Sequence, residues 1–144
     1  MTGIEKSIEI KVQPEKVWPH LFWDRAPEYN DMIKDCKPTS EKRGEMGATY
    51  HVIAYARGRS YEYDVEMTEI VKYERLGWRS IAGDWTASGV TILEPTKAGT
   101  KITLKMDYTL PGLLNQIVDI LFARRDIEKG NEKALEKLKS ILEK

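Results

Sequence analysis

The sequence predicts an α+β fold in which a curved antiparallel sheet of about seven strands wraps around a long C-terminal helix. Three observations predict it. After Pro111 no proline occurs, and Leu113, Ile117, Ile120, Ile127, Ala134, Leu138 and Ile141 step by three and four, skipping only Arg124 and Asn131. One apolar stripe therefore runs down one helix. From Ala48 to Leu110 the chain instead alternates apolar and polar residues between turn signals. A helix that must bury a stripe, beside a sheet that must bury a face, is satisfied when the sheet wraps the helix. Two short helices between the first strand and the rest complete the order.

Each element follows from its own pattern. Ile4, Ile8, Ile10 and Val12 alternate with Glu5, Glu9 and Lys11, as in a half-buried strand. Pro14 opens a short helix carrying Val17, Trp18, Leu21 and Phe22, which Pro19 limits. Asp24 to Asp35 reads as a second short helix or loop with Tyr29, Met32 and Ile33 as its apolar contacts. Cys36 to Arg43 reads as a polar edge strand. Tyr50, Val52, Ala54 and Ala56 share one face of the next strand; Tyr61, Tyr63, Val65 and Met67 share a face of the one after it. Leu76 and Trp78 mark a further strand, Trp85 to Leu93 another, and Ile102, Leu104, Met106, Tyr108 and Leu110 the last. Turns at short, regular intervals imply antiparallel hairpins.

Composition narrows the function. The chain has 144 residues, enough for one domain (1–144) with a real core. Lys+Arg and Asp+Glu both number 23, so charge gives no argument for nucleic acid or an anionic membrane. Cys36 is the single cysteine, which excludes an intramolecular disulfide and fits a reducing cytoplasm. No apolar run approaches membrane-spanning length, so no stable membrane insertion is expected. His20 and His51 are the only histidines and sit in no ligand pattern, so no metal site and no cofactor are expected.

The order of elements, together with Val12-Gln13-Pro14-Glu15-Lys16-Val17-Trp18, Leu76-Gly77-Trp78-Arg79-Ser80, Gly99-Thr100-Lys101-Ile102-Thr103 and Tyr108-Thr109-Leu110-Pro111, resembles the START-like superfamily of polyketide cyclase/dehydrase and lipid-transport (SRPBCC) proteins. The resemblance covers essentially the whole chain and implies a helix-grip fold. It also implies an apolar cavity near the start of the closing helix. Its motifs are specific for fold and say little about ligand.

Candidate site residues follow from the faces that curl inward. Tyr50, Val52, Tyr61, Tyr63, Val65, Trp78, Trp85, Leu104, Met106 and Tyr108 come from the sheet; Leu114, Ile117, Val118 and Leu121 come from the helix. The aromatics either fill an ordinary core or line a pocket. Buried tyrosine hydroxyls need partners, which a partly hydrated cavity supplies. Trp23, Tyr29 and Met32 are candidates for a movable lid. From Leu113 to Ala123 the helix is apolar almost all round, so its outer side needs the short helices, a ligand, a second copy or a membrane surface. Arg124 breaks the stripe on its core side or edge. It either anchors an anionic group of a ligand or carries its guanidinium to solvent or an acidic partner.

The expected function is binding or transport of an apolar or amphipathic small molecule (a lipid, quinone or polyketide-like ring), by a monomer or weak homodimer. Two alternatives stay open. A cyclase or dehydrase would draw on Tyr63, Tyr108 and Arg124, with His51 disfavoured because it faces away from Tyr50 on its strand. An interaction module would use the apolar start of the helix, around Leu114.

Overall fold

The computed structural model describes residues 2–42, 44–56, 59–83, 85–109 and 124–144. Strand β1 (Thr2–Ile10) leads into α1 (Pro14–Val17), which opens on Pro14. Two 3-10 turns follow, Trp18–Leu21 and Trp23–Glu28, with prolines at positions that prevent a longer α-helix. Then come β2 (Ile33–Pro38), β3 (Thr49–Ala56), β4 (Arg59–Val71), β5 (Arg75–Gly83), β6 (Thr86–Pro95), β7 (Thr100–Thr109) and α2 (Arg124–Leu142).

The seven strands form one antiparallel sheet in the order β1-β7-β6-β5-β4-β3-β2, so hairpins join neighbours from β2 onward and β1 closes against β7. Register shifts at Asp64/Val65 and Met67/Glu69 bend the long β4, the device by which a sheet curls. At the first of these bends β5 ends on Gly83, which pairs with Tyr63. A Cβ at Gly83 would stand 2.5 Å from the Tyr63 Cα, and its φ of +120° suits glycine.

The core lies on the concave face. Ile10, Val17, Val52, Val65, Ile102 and Leu138 are essentially inaccessible. Helix α2 presents Asn131, Ala134, Leu135 and Leu138 to it, one turn-spaced stripe. At its margins Lys6 of β1 pairs with Glu132 (2.7 Å) and Glu128 (3.4 Å), and Lys137 reaches Asp31 (2.9 Å). These exposed pairs contribute little each and serve to set the helix position.

Strand β2 begins at Ile33, earlier than the expected Cys36, and ends at Pro38 instead of reaching Arg43. A register shift between Ile33 and Asp35 places Ile33 and Cys36, three apart, on the same buried side. The bulge hides the alternation that marks a strand. The apolar start of the closing helix, from Leu113 to Ala123, lies outside the described residues. Among them, no helix is long and apolar enough to cross a membrane.

Candidate functional site

A cavity of about 160 Å³ opens between the concave sheet and α2. Tyr61 and Tyr63 of β4, Trp78 of β5, Met106 of β7 and Trp85, just ahead of β6, form its sheet side; Ile127 and Asn131 form its helix side. Trp23 and Met32 close it from the segment after β1. A second hollow of about 110 Å³ lies further along α2, against Leu76, Leu104, Leu135 and Leu138. The two meet at Trp23, Asn30, Ile33, Trp78, Met106 and Asn131, which line both.

The wall is held by aromatic packing. Trp23 stands edge-on to Trp78 (5.1 Å between ring centroids) and to Tyr63 (6.5 Å). Tyr63 meets Trp85 at 5.4 Å, and Trp85 meets Tyr108 at 5.7 Å. Such tilted and edge-to-face pairs fix ring orientation as well as burying area. Trp78 can lie flat over its cross-strand neighbour because that neighbour is Gly89, where a Cβ would come within 2.8 Å of the indole Nε1.

Few polar groups reach this space. Burial pushes the Tyr63 phenol well above its usual range, so it stays protonated and acts as a donor, never as a base. Burial likewise raises Tyr29, with the charge of Glu28 adding to it. Cys36 is buried in the core, and burial followed by the nearby Asp24 and Asp35 charges pushes its thiol up to about 12. It is not an activated nucleophile. Asn131 is 8% exposed, and its Nδ2 donates to the Met106 Sδ at 3.5 Å. The Trp85 Nε1–H is buried without a hydrogen-bond partner among the described residues.

The inward faces resolve into two groups. Tyr61, Tyr63, Trp78, Trp85 and Met106 stand on the wall of the larger cavity, and Leu104 on that of the smaller one. Tyr50, Val52, Val65 and Tyr108 point inward too, but they are packed among other side chains, with Tyr108 in a separate cluster beside Ile4 and Ala87. Leu114, Ile117, Val118 and Leu121 lie outside the described residues. Of the lid candidates, Trp23 and Met32 line the larger cavity, while Tyr29 lines the smaller.

Arg124 does not turn to the core side: its side chain is 48% exposed and its Nε donates to Glu128 Oε1 at 2.8 Å. The long stem lets the guanidinium leave the stripe for a carboxylate one turn away. His51 faces outward, with Nδ1 2.7 Å from Asp64 and Nε2 3.1 Å from Glu62 across the β3–β4 pair. Sequence reasoning passed over Asn131 as a site residue. Its signal was there, a polar residue in the middle of a buried apolar stripe. Among the described residues no cluster of His, Cys, Asp and Glu is arranged to hold a metal.

A half-barrel of antiparallel strands closed by a C-terminal helix, with an apolar chamber between them, is the helix-grip class of protein. Within that class the chain belongs to the polyketide cyclase/dehydrase and lipid-transport family, whose model matches residues 1–143. It is 25% identical over 145 residues to an uncharacterized 17.2 kDa protein of Streptomyces lincolnensis, covering 99% of this chain and 91% of that one. In fold it is similar to the TTHA0849 protein of Thermus thermophilus, with TM-score 0.85, 17% identity and 98% and 97% of the two chains covered. It is also similar to the Zhui aromatase/cyclase of a Streptomyces species, with TM-score 0.82, 11% identity and 99% and 93% covered.

Proposed function

We propose that residues 1–144 act as one START-like domain that binds an apolar or amphipathic small molecule between the sheet and the C-terminal helix, and carries it without chemical change. The observation behind this reading is the chamber itself. A well-packed interior leaves few voids larger than a water molecule, whereas this one keeps about 160 Å³ lined mainly by aromatic and aliphatic carbon. An apolar cavity of about 150 Å³ is enough to hold a benzene ring. The adjoining hollow offers room for a second ring or a short chain. Trp23 sits on a 3-10 turn, not in the sheet or α2, so the wall has a part that opens without breaking either.

A second reading, dehydration or cyclisation of a polyketide-like substrate, draws on Tyr63, whose protonated phenol faces the cavity as a candidate acid. Tyr63→Phe separates the two. A carrier keeps its ligand affinity within about threefold, and an enzyme retains binding while losing conversion. The interaction reading rests on Leu114 and its neighbours, outside the described residues. The primary test is native mass spectrometry of protein purified from its own source, followed by denaturing extraction. A co-purifying lipid, quinone or aromatic ring compound supports the carrier. A bare polypeptide mass, with no apolar ring probe binding in titration, refutes it.

A further inference from the structure

The larger cavity carries a polar signature that its apolar walls do not require. Asn131 sits mid-helix between Ile127 and the buried Ala134, Leu135 and Leu138, where an aliphatic side chain would serve packing better. Asparagine is a poor helix-interior residue, and burying a primary amide is costly unless its hydrogen bonds are made. Among the described residues one is: Nδ2 donates to the thioether sulfur of Met106, a weak acceptor. The Trp85 N–H beside this wall is fully covered, with no partner among the described residues, and is therefore closed to a ligand in the cavity. The chamber wall thus presents one amide, that of Asn131, whose donor capacity is met only by a weak sulfur acceptor.

Charge narrows the acceptor. No lysine or arginine is among the described residues lining this chamber, whereas the acidic Asp126 is. A carboxylate or phosphate brought here would lose its hydration with no opposite charge to compensate. A neutral carbonyl oxygen needs only a donor such as the Asn131 amide.

We propose that Asn131 is the positioning residue for a neutral cyclic ligand bearing a carbonyl oxygen, an aryl ketone or quinone type of ring, and that the site discriminates against carboxylates such as fatty acids. This rests on the ligand-binding reading above. The amide turns from the Met106 sulfur to the ligand oxygen, exchanging a weak acceptor for a strong one. Asn131 thereby sets which edge of the ring points at α2.

The test compares three probes of one shape, 1-indanone, indane and indane-2-carboxylate, titrated by calorimetry into the wild-type protein and Asn131→Leu. In the wild type, 1-indanone binds at least about tenfold tighter than the carboxylate. Asn131→Leu shifts the 1-indanone/indane affinity ratio by about tenfold toward indane, while the melting temperature of the unliganded protein holds or rises. An unchanged ratio, or a carboxylate that matches 1-indanone, overturns the proposal even though the cavity binds. Loss of stability with both neutral probes weakened alike also overturns it, because Asn131 would then be purely structural. The wild-type comparison stands even where the variant does not fold. If none of the probes binds, the ligand-binding reading itself falls and this inference with it.

Discussion

Trp23→Ala tests whether the cavity wall is an opening part of the protein or a fixed part of its core. Trp23 bridges Trp78 and Tyr63 by two edge contacts and lines both hollows. It is half-buried, so roughly 100 Å² of its apolar surface leaves water on folding; at about 25 cal/mol/Å² that is about 2.5 kcal/mol. The two aromatic contacts add about 1–2 kcal/mol together. Removing the ring is expected to cost about 3.5–4.5 kcal/mol in urea unfolding, which a domain of ordinary stability survives. It also merges the two hollows. The variant should therefore gain affinity for a three-ring probe such as anthrone relative to the two-ring 1-indanone by about fivefold or more. A loss below about 1 kcal/mol with unchanged size preference would refute the reasoning, since Trp23 would then be neither wall nor partition.

The outward His51 should make stability pH-dependent. Hydrogen bonds to Asp64 and then Glu62 hold its folded pKa above the usual 6.5. That contribution is complete below the unfolded pKa and is lost as pH rises through the folded one, so stability falls over that window. His51→Gln should flatten the slope measured by urea unfolding between about pH 6 and 8, and an identical slope would exclude the link. Since the group is exposed, the effect is small. Cys36, with its thiol at about 12, should resist iodoacetamide at neutral pH in the folded protein and react on unfolding. Rapid labelling of one equivalent in the native state, followed by mass spectrometry, would show that the residue is not sealed in the core.

The fold was largely legible because periodicity reports which side of an element must be buried. The step of three and four along Ala134 and Leu138, and the step of two along Tyr61, Tyr63, Val65 and Met67, are direct consequences of helix and strand geometry. One boundary was missed, and one open alternative needed the structure to settle it. The bulge near Ile33 spaced two inward residues by three, which no strand pattern anticipates. Arg124 falls on the helix stripe yet sends its guanidinium to Glu128, because a long side chain need not follow its Cβ. The site was legible only in part for a different reason. Tyr63 and Val65 lie on one face of one strand, yet Tyr63 meets the cavity while Val65 meets packed neighbours. Alternation tells that a residue points inward; whether it then touches another side chain or empty space is set by three-dimensional packing.

That packing is graded along the molecule, and the grading explains how a chamber persists. Around Ile10, Val17, Leu93 and Ile102 the sheet closes on a cluster of fully or almost fully buried aliphatic side chains. Toward Tyr63, Trp78 and Trp85 the lining changes to large rigid rings, locked edge-to-face, which cannot collapse into the space between them. Along α2 the larger cavity reaches Asn131 and the smaller hollow continues to Leu138. Stability can thus reside in the aliphatic cluster while the sheet–helix interface stays partly hollow. The helix that seals the core also presents the one buried amide facing the chamber among the described residues. Replacing that amide with an aliphatic group would favour the unliganded fold, whereas keeping it favours a ligand with an oxygen to offer.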